Sequence, residues 1–357
     1  MKLRASAADT GSKQQAAYVP VDSDFRFKEP DSRITVDTGF STESFWKDAC
    51  IRYIQKPGAV IGLVLILLIS VMAAVGPEMN PFTYSEQNLS QKNFAPRVKG
   101  LENLGIFSGN ERVKTGTGSK LINQYEANGL EDVYYWFGSD NFGRDIWTRT
   151  WSGTRVSLII AAAAAVIDMV IGMSYGLISG YFGGAVDMIL QRILEIANGI
   201  PRLVIITLLL LVLQPGMFTI ILALILTEWI GMSRIARAQM LNIKEQEFVL
   251  ASRTLGAGSF FIIFRQILPN IMGPVITQVV LSIPTAIFTE AFLSFIGLGI
   301  PVPGCSLGSL ISDGFHSFTT HPYQIIPPVA VMALLMLGFH LAADGLWEAF
   351  NPKRKER

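Results

Sequence analysis

The sequence predicts an all-α polytopic membrane protein with six transmembrane helices. Three observations carry that prediction. Apolar residues gather in runs of roughly 18 or more, long enough to cross a bilayer as helix. Charged residues make up 16% of the chain, against about 25% in ordinary soluble proteins. The Lys and Arg residues also concentrate on particular connections, as they do in chains threaded through a membrane. The hydrophobic fraction of 50% is ordinary and decides nothing alone.

Residues 1–57 are polar and charged and lack the apolar core of a signal peptide, so they predict an uncleaved cytosolic tail. Residues 42–56 place Phe45, Trp46, Cys50, Ile51, Tyr53 and Ile54 at helical spacing, with Lys47, Arg52 and Lys56 among them. That is the pattern of an interfacial helix leading into a span. Residues 58–76 are uninterrupted and uncharged and form the first span, which Pro77 ends. Residues 77–152 are polar, rich in Asn, Gly and Tyr, and too long for a simple connection; a large outside loop or small domain fits them. Gly116-Thr117-Gly118-Ser119-Lys120 suggests a phosphate loop but lacks the required Gly-Lys-Ser/Thr ending.

Residues 153–346 hold five further spans. The second, about 156–179, carries Ala161–Ala165 and the small residues Gly172, Ser174 and Gly176, which let helices approach closely in lipid. Gly183 and Gly184 mark a turn. Leu203–Leu213 supplies only about 17 Å of helix, so the third span begins earlier, on a stripe of Ile189, Leu190, Ile193, Leu194 and Ile196. Gly199 and Pro201 predict a kink in it. Phe218–Ile230 is the fourth span, residues 233–268 a charged connection that is helical in pieces, and Ile271–Leu298 the fifth span with kinks at Pro274 and Pro284. After a loop at 299–324, Ile325–Leu346 is the sixth, and 347–357 is a basic tail.

Arg234, Arg237, Lys244, Arg253 and Arg265 lie in the 233–268 connection, and Lys353, Arg354, Lys355 and Arg357 in the tail. The connections at 214–217 and 299–324 have neither Lys nor Arg. The positive-inside rule therefore places both termini and residues 233–268 in the cytosol. Cys50 and Cys305 then fall on opposite sides, against a disulfide between them. A net charge of +1 gives no argument for nucleic acid, and His316 and His321 without further ligands read as surface residues.

Three acids fall within or near spans, where ionisable groups usually face protein or water. Asp168 reads as a polar wall of a path or as a partner for a neighbouring helix. Glu228 reads as an ion-pair partner of Arg234 or Arg237. Glu290, beyond Pro284, is open between a path and a structural role.

Residues 245–269 predict two short amphipathic helices broken at Gly256 and Gly258, the second ending at Pro269. Such a pair lies on lipid or docks into a groove of another protein. The stretch resembles the cytosolic signature loop of binding-protein-dependent ABC importer permeases: Glu-Ala-Ala, three residues, Gly, nine residues, Ile-x-Leu-Pro. Aligned on Gly256 and Leu268-Pro269, the acid falls at Leu250, the alanines at Ala251 and Ser252, and the Ile at Gln266, so only Ala251 matches among the first three. Glu247, one turn earlier, offers a carboxylate to the same region. Gly138–Asp145 with Arg149, Gly153, Arg155, Ser157 and Leu158, the run Ala291–Gly299, and Asp344-Gly345-Leu346 with Asn351-Pro352 are similar to segments of dipeptide and oligopeptide permeases.

The resemblance covers nearly the whole chain and implies the type I ABC importer permease fold, with a long extracellular loop after the first helix. It implies that Glu247, Ala251, Arg253, Gly256, Ala257 and Pro269 meet a separate ATPase subunit. Asp168, Pro284 and Glu290 become candidates for the translocation path. Asp140, Arg144 and Asp145 become candidates for docking the substrate-delivering protein, with capping and packing of the following span as the rival. Implied partners are a homologous second permease, two ATPase subunits, an extracellular binding protein, peptide and membrane lipid, in a bacterial cytoplasmic membrane. ATP and Mg would be used by the ATPase subunits, and no cofactor or metal is expected on this chain. Rival cargoes are dipeptide, nickel and glutathione; an ion-coupled secondary transporter is the rival outside the class.

Overall fold

The structure, a computed structural model, describes residues 45–102, 107–115 and 118–350. The tail at 1–44 and the basic residues 351–357 lie outside them. Helix α1 (Phe45–Ile54) precedes α2 (Pro57–Val75), which starts with proline at its first position, where the missing N–H costs no hydrogen bond. One side of α2 leaves Ile61, Val64, Leu67, Leu68 and Val71 exposed, an apolar surface suited to lipid. Its C-terminal carbonyls are capped from outside the helix. Arg155 donates to the Ala73 and Ala74 oxygens, and the Trp147 indole donates to Gly76 O at 2.8 Å.

The segment after α2 contains a β-hairpin. Strands β1 (Asn110–Thr115) and β2 (Gly118–Asn123) pair antiparallel, with Asn110 opposite Asn123, and the short α3 (Gln124–Ala127) follows. Gly118, Ser119 and Lys120 are thus strand residues, not a phosphate cradle. Phe94, Tyr125 and Tyr135 form a small core, and burial pushes both tyrosine hydroxyls up from their ordinary pKa.

Helices α4 (Ile146–Ile167) and α5 (Met173–Phe182) are joined through a π turn at Asp168–Gly172 and make one span. This span begins ten residues earlier than the periodicity suggested, because Asp145 caps it: its carboxylate accepts from Thr148 N at 2.8 Å. The third span is broken into α6 (Gly184–Gly199) and α7 (Arg202–Val212), bent by 76° around Pro201. A proline there cannot donate into the helix and clashes with the preceding turn.

Helices α8 (Met217–Thr227) and α9 (Trp229–Ile243) form the fourth span, which runs past the predicted end at Ile230. Arg234 and Arg237 are therefore helix residues, and the true connection is shorter. It holds α10 (Glu247–Thr254) and then α11 (Ser259–Phe261), a π turn at Ile262–Ile267 and α12 (Leu268–Phe295) as one continuous fifth span. Pro269 does not end a helix. It falls in the first turn of α12, just after the π turn, and the helix continues through it. The loop at 299–324 contains α13 (Leu307–His316), opened by a reciprocal Ser306–Ser309 capping box, and α14 (Ile326–Phe350) is the last span.

Packing follows the small residues. A Cβ on Gly176 of α5 would sit 2.2 Å from the Ser233 carbonyl oxygen of α9, so only glycine permits that approach. Met173, Leu177, Met232, Ala236, Met240, Ile267 and Ile271 fill the core around this crossing. A second core joins Ile69, Trp151, Ile287, Leu335 and Phe339 from α2, α4, α12 and α14.

Candidate functional site

Three groups of residues stand out, at three levels of the molecule. The first is the turn after α10. Gly256 has φ +80° and no atom within 4 Å of where its Cβ would be. Its N–H donates to Arg253 O, and Ala257 N–H donates to Ser252 O. Those two bonds form a Schellman motif with Gly256 at the left-handed position. Val249 is the buried anchor of α10, part of the same buried core as Met232, Met240 and Ile263. Arg253 lies over the Tyr181 ring at 5.0 Å. Ser252 and Gln266, two of the three positions where the signature pattern is broken, meet each other: Gln266 Nε2 donates to Ser252 Oγ at 2.5 Å. Around this frame, Leu255 is 87% exposed and Phe260 75% exposed, with Phe248, Leu250, Phe261 and Phe264 also open. Glu247 and Ala251 are exposed on α10, Pro269 is exposed at the start of α12, and Ala257 packs partly against the core.

The second group lies in the spans. Asp168 is buried in the π turn, within electrostatic reach of Ser282, Glu228 and Arg202. Glu228 does not pair with Arg234 or Arg237. It pairs with Arg202 at 3.1 Å, and Arg237 instead holds Asp187 with two bonds of 2.7 and 2.6 Å. Neither partner was legible by proximity in sequence. The available signal was that Arg202 stands at the mouth of an apolar run and needs an acid. Glu290 is fully buried and accepts from Ser157 Oγ at 2.9 Å and Ser294 Oγ at 2.7 Å. Pro284 is buried too. The structure does not bring Glu290 and Asp168 together into one polar wall; each is enclosed by its own neighbours.

The third group is on the far side. Asp140, Arg144 and Asp145 are 7%, 1% and 2% exposed, so their charges are not presented to an incoming protein. Their contacts support the rival reading, capping and packing. Arg144 Nε donates to Asp140 Oδ2 at 2.6 Å, and Arg144 and the buried Arg149 both reach Asp313 of α13. Burial pushes the Asp145 carboxyl up, and hydrogen bonds from Thr148 and Asn80 pull it back. His321 is half-buried rather than a bare surface residue, with Nδ1 2.6 Å from Glu111 Oε1.

These features define a multi-pass helical membrane protein that presents an apolar helix and turn at one end. Residues 172–356 match the model of the family described as binding-protein-dependent transport system inner membrane component. Residues 44–96 match the N-terminal TM domain of oligopeptide transport permease C. The oligopeptide transport system permease protein OppC of Bacillus subtilis is 40% identical over 88% of this chain and 91% of that protein. The dipeptide transport system permease protein DppC of the same organism is 39% identical over 87% and 86%. Escherichia coli OppC is 32% identical over 87% and 92%. The chain belongs to the binding-protein-dependent permease family and is a transmembrane permease subunit of an ABC importer.

Proposed function

We propose that this subunit, with a homologous second permease, encloses the path of an ATP-driven oligopeptide importer, and that the helix and turn at 247–258 receive the motion of a separate ATPase. A binding protein on the opposite side delivers the peptide. The carrying observation is the contrast within that turn. Its backbone is fixed by the Schellman motif and by Val249, while Leu255 and Phe260 expose apolar surface that the described residues do not cover. A rigid apolar projection of this kind suits a groove on a protein partner. Both termini and the turn face the cytosol in this reading, following the basic residues.

The test is uptake of labelled peptide by the assembled complex in vesicles, with Gly256→Pro beside the native chain. Proline cannot take φ +80°. The variant should insert and assemble yet lose ATP-driven uptake; normal uptake by it would sink the assignment. Competition by dipeptide and by longer peptides separates the DppC-like from the OppC-like cargo. Uptake driven by a proton gradient without ATPases would favour an ion-coupled carrier instead.

A further inference from the structure

The broken third span is tied to the fourth span on both sides of its break. Before the break, Asp187 in the first turn of α6 takes two bonds from Arg237 of α9. After it, Arg202 at the start of α7 donates to Glu228 at the α8–α9 junction, at 3.1 Å. The charge order is crossed: acid to base below, base to acid above. Any register that set Asp187 against Glu228 would be repulsive. Sliding α9 by one turn, about 5.4 Å, would break both pairs together.

A straight helix from Asp187 to Arg202 would be about 22 Å long, whereas Glu228 and Arg237 are separated by about 14 Å of helix. The 76° bend shortens the reach of the third span toward these anchors. The same α9 leads into α10 across residues 244–246, and its Met232, Ala236 and Met240 belong to the buried core that also takes in Val249 of α10 and Ile263 of the π turn. The short connection and shared core join α10 to α9, and α9 with its junction to α8 holds both halves of the broken span.

We propose that α9 is the lever through which movement of the 247–258 turn reaches the broken span, with Arg237–Asp187 and Glu228–Arg202 as its two attachment points. Interrupted helices line transport paths in other carriers, which is why their position matters for cargo. Asp187, Arg202, Glu228 and Arg237 are thus positioning residues that need touch neither peptide nor ATP. This inference rests on the permease reading above.

The experiment uses the full chain assembled with its permease and ATPase partners in vesicles, reading peptide uptake and ATP hydrolysis side by side. Glu228→Gln and Asp187→Asn should each assemble, keep hydrolysing ATP, and lower uptake per ATP roughly tenfold, the scale of a typical inter-site coupling. The paired exchange Arg202→Glu with Glu228→Arg should recover most of the lost uptake, as should Asp187→Arg with Arg237→Asp. Uptake per ATP within about twofold of native in both neutral variants overturns the lever. So does failure of both exchanges to recover uptake in complexes that assemble. If the exchanged chains do not assemble, the neutral variants decide. Absence of ATP-driven peptide uptake by the native complex would instead strike the function proposed for the subunit.

Discussion

Glu290 is a carboxyl group buried in a membrane span, with no basic partner within hydrogen-bond reach among the described residues. Its oxygens accept from the hydroxyls of Ser157 and Ser294, so donors on α4 and α12 satisfy it. Glu290→Gln keeps an acceptor for one of those hydroxyls and offers an N–H to the other, which can rotate to accept it, so thermal stability in detergent should change little. Glu290→Ala leaves both hydroxyls buried without that acceptor and should cost about 1–3 kcal/mol, read as a lowered melting temperature. A residue that instead served the path would show the reverse pattern: stability intact in both variants and uptake lost in the first. The sequence marked Glu290 as unusual but could not say which of these it was. The serines that decide it come from residues 133 positions away and from one turn along the same helix.

At the scale of elements, two devices govern packing. The close crossing of α5 on α9 depends on Gly176, and Gly176→Val should force the helices apart because its Cβ would lie 2.2 Å from a backbone oxygen. Overpacking of that kind costs about 1–3 kcal/mol or more, visible as loss of monodisperse protein on size exclusion. The second device is the Ser252–Gln266 bond between α10 and the π turn. A double-mutant cycle with Ser252→Ala and Gln266→Ala should return a coupling of about 0.5–1.5 kcal/mol in thermal stability. A coupling of zero would mean that these two of the three departures from the signature pattern are independent. The amphipathic pieces around Gly256 were legible because their periodicity is local. The continuation of the second piece through Pro269 was not, since proline ordinarily reads as a stop and the π turn before it leaves no mark in the pattern.

Across the whole molecule, the segment after the first span is knitted to the loop before the last. Glu111 meets His321, Asn141 donates to Ser317 Oγ at 2.7 Å, and Gln324 donates to Asn93 Oδ1 at 2.8 Å. Buried Arg144 and Arg149 add contacts to Asp313. Both regions therefore lie on one side of the spans, opposite the turn at Gly256. Single cysteines placed in a chain without its native thiols test which side is which. Phe107→Cys should react with an impermeant maleimide in intact cells, and Leu255→Cys only after permeabilisation; both side chains are exposed in the chain. The inverse labelling would turn the proposed orientation over.

By itself the sequence determined the class, the number of spans, the break at Gly199–Pro201 and the place of the turn at Gly256. Each of these is set by local composition: apolar run length, proline, glycine and the spacing of small residues. Tertiary structure alone decided the partners of the charged groups. Arg202 found Glu228 and Arg237 found Asp187, while Asp140, Arg144 and Asp145 turned inward to cap and brace the second span. A charge in or beside a membrane is stabilised by whichever opposite charge or donor the fold brings within a few ångströms, and that neighbour need not be near in sequence. The same reason explains the apolar turn: its helix and its glycine are local, but only the packed chain shows that Val249 is buried and Leu255 is left open.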